Sequence, residues 1–299
     1  MRVLSLFDGI SCARVALTQA GVPVDAYYAS EVDPKAIQTA MKNYPDTIQL
    51  GDVRELRTPP SSIDLLIGGS PCQDLSIAKQ KREGLQGSRS SLFWEYIRIF
   101  RAIKPRWFLL ENVASMRAED RDIITREMGV EPVLFDAALV SAQSRKRLFW
   151  TNIRFTLPPD RGVLLRDILQ PDAEVDESMT VNSKSFSLTA SVKDALIGRD
   201  IGRRLNAEGH REDYNKDIPI QRQLELRTDD KSGTLTSVLK DNLVVGETHI
   251  RKLTPIECER LQGLPDNYTE GIAKTHRYKC LGNGFCVPVI THILCNLRP

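Results

Sequence analysis

The chain has no apolar run approaching the roughly 18 residues of a membrane span, so no membrane-spanning helix is expected. Its six cysteines (Cys12, Cys72, Cys258, Cys280, Cys286 and Cys295) form no C-x-x-C pair. With no secretory context in the sequence, that favours a reducing compartment and reduced thiols. Four scattered His residues stand at no metal-ligand spacing with those cysteines, so no metal site is expected. No G-x-G-x-x-G is present, which leaves a dinucleotide cofactor unsupported. The N-terminus, Met1-Arg2-Val3-Leu4-Ser5-Leu6-Phe7, runs straight into a strand pattern, and no signal peptide is expected. There is no internal repeat and no low-complexity tract.

The 299 residues are 41% hydrophobic and 27% charged, enough for one large globular domain or two ordinary ones. A formal net charge of +2 says little until it is divided along the chain. Residues 158–250 hold 13 Lys and Arg against 17 Asp and Glu, a net of −4, so +6 falls on the remainder. The positive charge gathers at Lys79, Lys81, Arg82 and Arg89, and again at Arg145-Lys146-Arg147. Two such clusters flanking a candidate active site suit a phosphate-bearing partner better than a merely solvated surface.

The first half alternates strand and helix signals. Strands are predicted over Val3–Phe7, Asp25–Ser30, Ile63–Ile67, Arg106–Leu110, Val133–Val140 and Arg147–Ile153. Helices are predicted over Cys12–Ala20, from Pro34 to about Tyr44 behind an Asp33 N-cap, and over Ser91–Ile103. This βαβα order indicates a doubly wound, mostly parallel sheet. At Pro158-Pro159 the pattern breaks, and 158–250 reads as a smaller, irregular domain with short β-like pieces at Ser185–Thr189 and Gly233–Leu239. Regularity returns at Thr254-Pro255-Ile256-Glu257, a capping box, and Val287–Leu297 reads as a helix packing back on the first domain.

In open α/β sheets ligands bind beyond the carboxyl ends of the strands, and several reactive residue types fall there. Phe7-Asp8-Gly9-Ile10-Ser11 reads as a nucleotide-binding βα turn, with free N–H groups offered by the helix that follows. Glu31, ending the second strand, is placed to accept from ribose hydroxyls, and Asp52 from an adenine amino group. Gly68-Gly69-Ser70-Pro71-Cys72-Gln73-Asp74-Leu75-Ser76 puts a thiol on a turn after a buried strand, where it is either a packed cysteine or an activated nucleophile. Glu111 follows another strand, as a cap or as an acid–base group. Gln143, Arg145 and Arg147 alternate, so they are expected on one face as phosphate or carbonyl donors.

In this order the motifs resemble those of the DNA (cytosine-5)-methyltransferase family. The cofactor turn matches Phe7-Asp8-Gly9-Ile10, the nucleophile motif Pro71-Cys72-Gln73 with Ser76, and the Glu-Asn-Val motif Glu111-Asn112-Val113. Gln-x-Arg-x-Arg is Gln143, Arg145 and Arg147. Arg-x-Leu-Thr-Pro-x-Glu runs from Arg251 to Glu257, and Gly282-Asn283-Gly284 with Val287-Pro288 closes the set. The resemblance covers nearly the whole chain except 158–250. Asp8 stands where Ala is common in the family, Ser11-Cys12 where many bacterial members have glycines, and Leu75 where Phe is common. In these respects the chain looks more like the eukaryotic de novo-type branch.

The resemblance implies a Rossmann-like S-adenosylmethionine-dependent methyltransferase fold with a catalytic and cofactor-binding domain at 1–157. It implies a target-recognition domain at 158–250, and a hinge and C-terminal segment, 251–299, returning to the first. It further implies transfer of a methyl group from S-adenosyl-L-methionine, leaving S-adenosyl-L-homocysteine, to carbon 5 of a cytosine flipped out of double-stranded DNA. Cys72 would add to carbon 6, Glu111 would bond N3 and the exocyclic amine, and Arg145 or Arg147 would hold the base carbonyl. Phe7, Asp8, Gly9, Ile10, Glu31, Val32, Asp52, Val53, Pro71 and Asn283 would bind the cofactor. Gln73, Ser76, Lys79, Lys81, Arg82 and Gln143 would face DNA, with Lys79–Arg89 as a basic lid. Arg203, Arg204, Arg222 and Arg227 are the candidate sequence readers. A cytoplasmic, nucleoid-associated monomer of a restriction-modification system or an orphan methylase is expected. An RNA cytosine methyltransferase would share the cofactor site, a regulatory relative would lack the Cys or Glu, and a nucleotide-dependent oxidoreductase would need different turn chemistry.

Overall fold

The computed structural model describes residues 1–71, 92–171, 176–181, 187–188, 197–227, 229–236, 242–245 and 250–297. Seven strands, β1 (Arg2–Leu6), β2 (Ala26–Ser30), β3 (Ile48–Gln49), β4 (Leu65–Gly68), β5 (Trp107–Val113), β6 (Val133–Asp136) and β7 (Lys146–Thr151), build the first sheet. Its order is β3-β2-β1-β4-β5-β7-β6. The pairs from β3 to β5 are parallel, and β7 runs antiparallel to both β5 and β6. The strand order reverses between β1 and β4, which opens a crevice at their carboxyl ends.

The central strands are apolar on both faces because both faces are covered; every residue of β4 is buried. Leu4, Leu6, Leu66, Leu110 and Trp150 pack with Phe93, Tyr96, Ile97 and Ile99 of α3 (Leu92–Ile103) and Ile124 and Met128 of α4 (Ala118–Met128). Val3, Leu65, Ile67 and Leu109 pack with α1 (Cys12–Gln19) and with three later helices. These are α5 (Pro255–Gln262), α6 (Lys274–Asn283) and α7 (Val287–Leu294). The C-terminal segment thus returns to the first sheet, and α7 lies against α1. Between β2 and β3 stands α2 (Pro34–Asn43), where the Asp33 carboxylate accepts from the Lys35 N–H at 2.9 Å and Pro34 takes the first turn. The capping box at α5 forms as its sequence indicates: Glu257 N–H donates to Thr254 Oγ1 at 3.1 Å and Thr254 N–H to Glu257 Oε2 at 2.8 Å.

The region expected to be irregular holds a second sheet of six strands. These are β8 (Thr180–Val181), β9 (Ser187–Leu188), β10 (Ile197–Arg203), β11 (Gln221–Arg227), β12 (Leu243–Val245) and β13 (Ile250–Lys252), in the order β8-β13-β12-β10-β11-β9. All pairs except β9–β11 are antiparallel. Its small core is Leu224, Leu243, Val245 and Ile250. Gly198 permits the packing, since a Cβ there would come within 2.6 Å of the Leu224 side chain. The piece expected as a strand from Gly233 is irregular over 233–236; just before it, Ser232 N–H donates to the Ala142 carbonyl at 2.8 Å and Ser144 N–H to the Ser232 carbonyl at 2.9 Å, in the segment that leads into β7. No helix among the described residues is long and apolar enough to cross a membrane.

Candidate active site

Two sites flank the reversal point. The first lies at the ends of β1 and β2 and the turn after β3. Phe7, Ser30, Glu31, Val32, Asp52, Val53, Arg54 and Leu92 line an open cleft. It thereby gathers five of the ten expected cofactor residues. Val32 is 62% exposed on its wall, an apolar surface left for something to cover. The backbone of Phe7 is left-handed (φ 58°), as is that of Gly9 (φ 61°). A left-handed non-glycine residue is held against its own preference, a feature that concentrates at ligand sites.

Glu31 closes the cleft from β2. Its Oε2 accepts the Gly9 N–H at 2.8 Å, and its Oε1 accepts the N–H groups of Val32 and Asp33 at 2.7 and 2.8 Å. Asp52 is gripped by Arg54, whose Nε lies 3.0 Å from both carboxylate oxygens and whose Nη2 is 2.5 Å from Oδ2. The guanidinium beside it holds the Asp52 carboxyl below the usual carboxylate range. Arg98 of α3 fixes the loop that carries both residues by donating to the carbonyls of Val53 and Leu56, each at 2.9 Å. Arg54, Ser30 and Leu92 are cleft residues that the sequence reading missed; the alternation of Asp52 and Arg54 was the available signal.

Asp8 and Ile10 correct that reading. Ile10 is buried, its carbonyl accepting from the Tyr268 hydroxyl at 2.7 Å. Asp8 is 6% exposed and points into the core, where it accepts from Tyr27 and Ser11. Burial pushes its carboxyl up, opposed by those hydroxyls. Asn283 is exposed at the end of α6, and Pro71 is half-buried beyond β4.

The second site lies at the ends of β4 and β5. Glu111, near the end of β5, forms an ion pair with Arg147, Oε1 to Nε 2.9 Å, across the β5–β7 pair. A narrow cavity beside them is lined by Glu111, Arg147, Phe149, Phe285 and Cys286 among others. Gly69 abuts this pair. A Cβ added there would lie 3.1 Å from Glu111 Oε2 and 2.8 Å from the Phe285 ring, so the residue must lack one. Asn112 is buried and donates from Nδ2 to Ser70 Oγ at 3.1 Å, tying the strand that carries Glu111 to the turn that leads to Cys72. Asn112, quoted only as part of the Glu-Asn-Val motif, was given no role, and Phe285, next to Gly284, was not singled out.

The expectation that Gln143, Arg145 and Arg147 share a face is corrected, because β7 begins only at Lys146. Gln143 is 0% exposed, donating to the Leu261 carbonyl and Gln262 Oε1 at 3.3 Å and accepting from Leu235 N–H at 2.8 Å. A side chain so enclosed reaches no DNA. Arg145 is 4% exposed and gives its guanidinium to the carbonyls of Leu235 (3.1 Å), Gly282 (3.3 Å) and Gly284 (3.0 Å). Of the two arginines named for the base carbonyl, Arg147 stands beside Glu111. Arg145 braces the backbone behind it.

The expected sequence readers are engaged within the second sheet. Arg203 pairs with Glu225 and Asp213, Arg222 with Asp200, and Arg227 with Asp229. Arg204 donates to the carbonyls of Ile218 (3.0 Å) and Asp213 (3.2 Å). Cys72, Gln73, Ser76, Lys79, Lys81 and Arg82, with the rest of the expected lid, lie outside the described residues. Of the described cysteines, Cys12, Cys258, Cys280 and Cys286 are buried. Burial pushes the thiols of Cys280 and Cys286 up to about 11, and those of Cys12 and Cys258 higher still. Such thiols stay protonated at neutral pH and make poor nucleophiles. No His, Cys, Asp or Glu cluster fit for a metal occurs among the described residues.

The arrangement has close counterparts. Type II methyltransferase M.HhaI of Haemophilus parahaemolyticus is 27% identical over 318 residues, spanning 99% of this chain and 94% of that protein. Type II methyltransferase M.NlaX of Neisseria lactamica is 29% identical over 315 residues, spanning 98% of this chain and 94% of that protein. Among solved structures, a DNA modification methyltransferase encoded within an E. coli prophage superposes with a TM-score of 0.68 at 20% identity, covering 99% of this chain and 98% of that one. The S. pombe Dnmt2 methyltransferase gives 0.63 at 17%, covering 98% and 96%; at such identities the likeness concerns the fold. The family model for C-5 cytosine-specific DNA methylases matches residues 1–298, and the chain belongs to that family.

Proposed function

We propose that this enzyme methylates carbon 5 of cytosine in duplex DNA, with S-adenosyl-L-methionine as donor and Cys72 as nucleophile. The carrying observation is the Glu111–Arg147 pair at 2.9 Å, set against Gly69 and so against the turn leading to Cys72. The cleft beside the reversal point suits the donor. Val32, Phe7, Val53 and Leu92 offer an apolar surface for an adenine ring, while Glu31 and Asp52 offer acceptors for ribose hydroxyls and an exocyclic amine. Gly9 positions Glu31, and Pro71 and Asn283 complete the donor site. When bound, S-adenosyl-L-methionine supplies a sulfonium-activated methyl group to a nucleophilic carbon.

The protein's own groups create that nucleophile. Cytosine must leave the duplex to be reached. Addition of the Cys72 thiolate to carbon 6 drives electron density toward N3 and carbon 5. Glu111 bonds the exocyclic amine and delivers or shares a proton at N3, so the ring does not carry the full negative charge. Arg147 orients Glu111 and holds the base carbonyl. Departure of the carbon 5 proton then expels Cys72 and restores the aromatic ring. The basic segment from Lys79 to Arg89, with Gln73 and Ser76, faces the DNA. In the second sheet, Arg203, Arg204, Arg222 and Arg227 shape the recognition surface through their internal partners, and residues between them contact bases.

Methyl transfer from labelled donor to mixed-sequence DNA, with mapping of the modified base, tests this reading. Label is expected on cytosine carbon 5, and none with Cys72→Ala. Label on another atom, preferential labelling of transfer RNA, or full activity in Cys72→Ala would contradict it.

A further inference from the structure

Asp8 places a carboxylate in the core, where it is 6% exposed. Burying a charge is unfavourable unless hydrogen bonds compensate. Here they come from two hydroxyls: Tyr27 donates to Oδ1 at 2.6 Å and Ser11 to Oδ2 at 2.5 Å. Ser11 stands at the N-cap of α1, yet its hydroxyl makes no cap and turns back to Asp8. Three residues of this turn, Phe7, Gly9 and Ser11, have left-handed backbones (φ 58°, 61° and 60°), two of them with a Cβ that disfavours it. Such a turn persists only where its surroundings over-determine it.

The restraint extends beyond the turn. Arg14 places its guanidinium 5.1 Å from the centroid of the Tyr27 ring and 4.6 Å from that of Tyr44, and donates to Thr47 Oγ1 at 2.7 Å. Asp8 N–H reaches the Ser30 carbonyl at 3.2 Å, next to Glu31. One buried polar chain therefore joins the turn, β2 and the segment before β3. The turn and β2 carry Phe7 and Glu31 into the cleft, and β3 leads on to Asp52.

We propose that Asp8 is a positioning residue for the methyl donor: clamped by Tyr27 and Ser11, it holds the left-handed turn that presents Phe7 and Gly9 to the cleft. The inference rests on the donor reading above. Without the clamp, the turn relaxes toward ordinary backbone angles, the Gly9 to Glu31 bond loosens, and the donor must order the turn as it binds.

The test is calorimetric titration of S-adenosyl-L-homocysteine into the purified protein, Asp8→Ala, Tyr27→Phe and the double variant. Asp8→Ala is expected to bind roughly tenfold or more weakly, and Tyr27→Phe about threefold, by the usual worth of buried hydrogen bonds. The double variant binds no more weakly than Asp8→Ala alone, because both act through one contact. In turnover the loss falls on the donor KM rather than on kcat or the DNA KM. Unaltered titration of Asp8→Ala, full additivity, or a loss confined to kcat overturns the clamp. If Asp8→Ala fails to fold, as judged by circular dichroism, Tyr27→Phe decides the question by the same criterion. A wild-type protein that does not bind S-adenosyl-L-homocysteine overturns the donor reading as well, whereas binding that Asp8→Ala fully retains overturns the clamp alone.

Discussion

The two sheets use charge in opposite ways. At the carboxyl ends of the first, Glu31, Asp52 and Glu111 border clefts, and each is held by donors that leave it facing the cavity. On the second sheet Arg203 and Arg222 of neighbouring strands close onto Glu225 and Asp200, and Arg227 onto Asp229. The difference follows from topology. A parallel sheet delivers consecutive strand ends to one edge with a crevice between them, so side chains there face a ligand. An antiparallel ladder sets residues of adjacent strands side by side, so an acid and a base on one face meet each other first. Glu111 and Arg147 also meet across an antiparallel pair, β5–β7, but both line a cavity; an ion pair at a cavity is therefore a candidate for chemistry, and the partner-bound arginines of the second sheet are more simply braces.

The largest expected effect tests the first half of this contrast. Glu111→Gln keeps the shape but removes the charge and the transferable proton, so kcat falls by about 10²–10⁴-fold with donor binding intact; a single-turnover assay showing less than a tenfold loss would break the assignment. The next concerns the junction between the sheets, where Arg251 on β13 pairs with Glu257 of α5, both fully enclosed. Arg251→Ala strands a buried carboxylate and costs about 3–5 kcal/mol in denaturant titration.

Within the second sheet, Arg203→Ala is expected to cost about 1 kcal/mol, since its acidic partners are partly solvated. The slope of DNA affinity against salt should stay unchanged. A loss of about 1 in that slope would make Arg203 a phosphate contact and reverse the comparison. The smallest effect is a pH dependence at Asp8, whose folded-state carboxyl titrates above its ordinary value. Stability from such a group is fully present below the unfolded pKa and is lost as pH rises through the folded one. Asp8→Asn escapes that loss, so the melting temperature of the variant relative to the parent climbs over the same interval and then levels. A difference that stays flat or falls would show that Asp8 is not a desolvated acid.

Much of the first sheet was legible in the sequence. Buried parallel strands show as continuous apolar runs, and Asp33-Pro34 and Thr254-Pro255-Ile256-Glu257 mark helix starts that form as expected. The helix Ala118–Met128 escaped notice because its sequence, AEDRDIITREM, buries only three residues and shows little apolar periodicity. Lys274–Asn283 escaped because it is polar, lacks a side-chain cap and carries a glycine near its end. The strand Ile197–Arg203 is interrupted by Gly198, Asp200 and Gly202, whose fitness for a sheet depends on neighbours distant in sequence. The site residues divide likewise. The positions of Glu31, Asp52 and Glu111 at or near strand ends were legible because strand ends are predictable. Gln143 and Arg145 were misplaced because only the tertiary structure shows that backbone carbonyls from residues 235–284 surround them.

The central claim is that Cys72, aided by Glu111, attacks the cytosine ring. The direct measurement uses duplex DNA in which carbon 5 of the target cytosine bears fluorine. Fluorine cannot leave as the proton does, so the methylated adduct cannot collapse. Incubation with donor followed by mass spectrometry of the digested complex is expected to find the nucleotide and a methyl group on the peptide containing Cys72, and no adduct with Cys72→Ala. Methyl transfer to ordinary cytosine without any such adduct, or an adduct on another residue, would contradict the account.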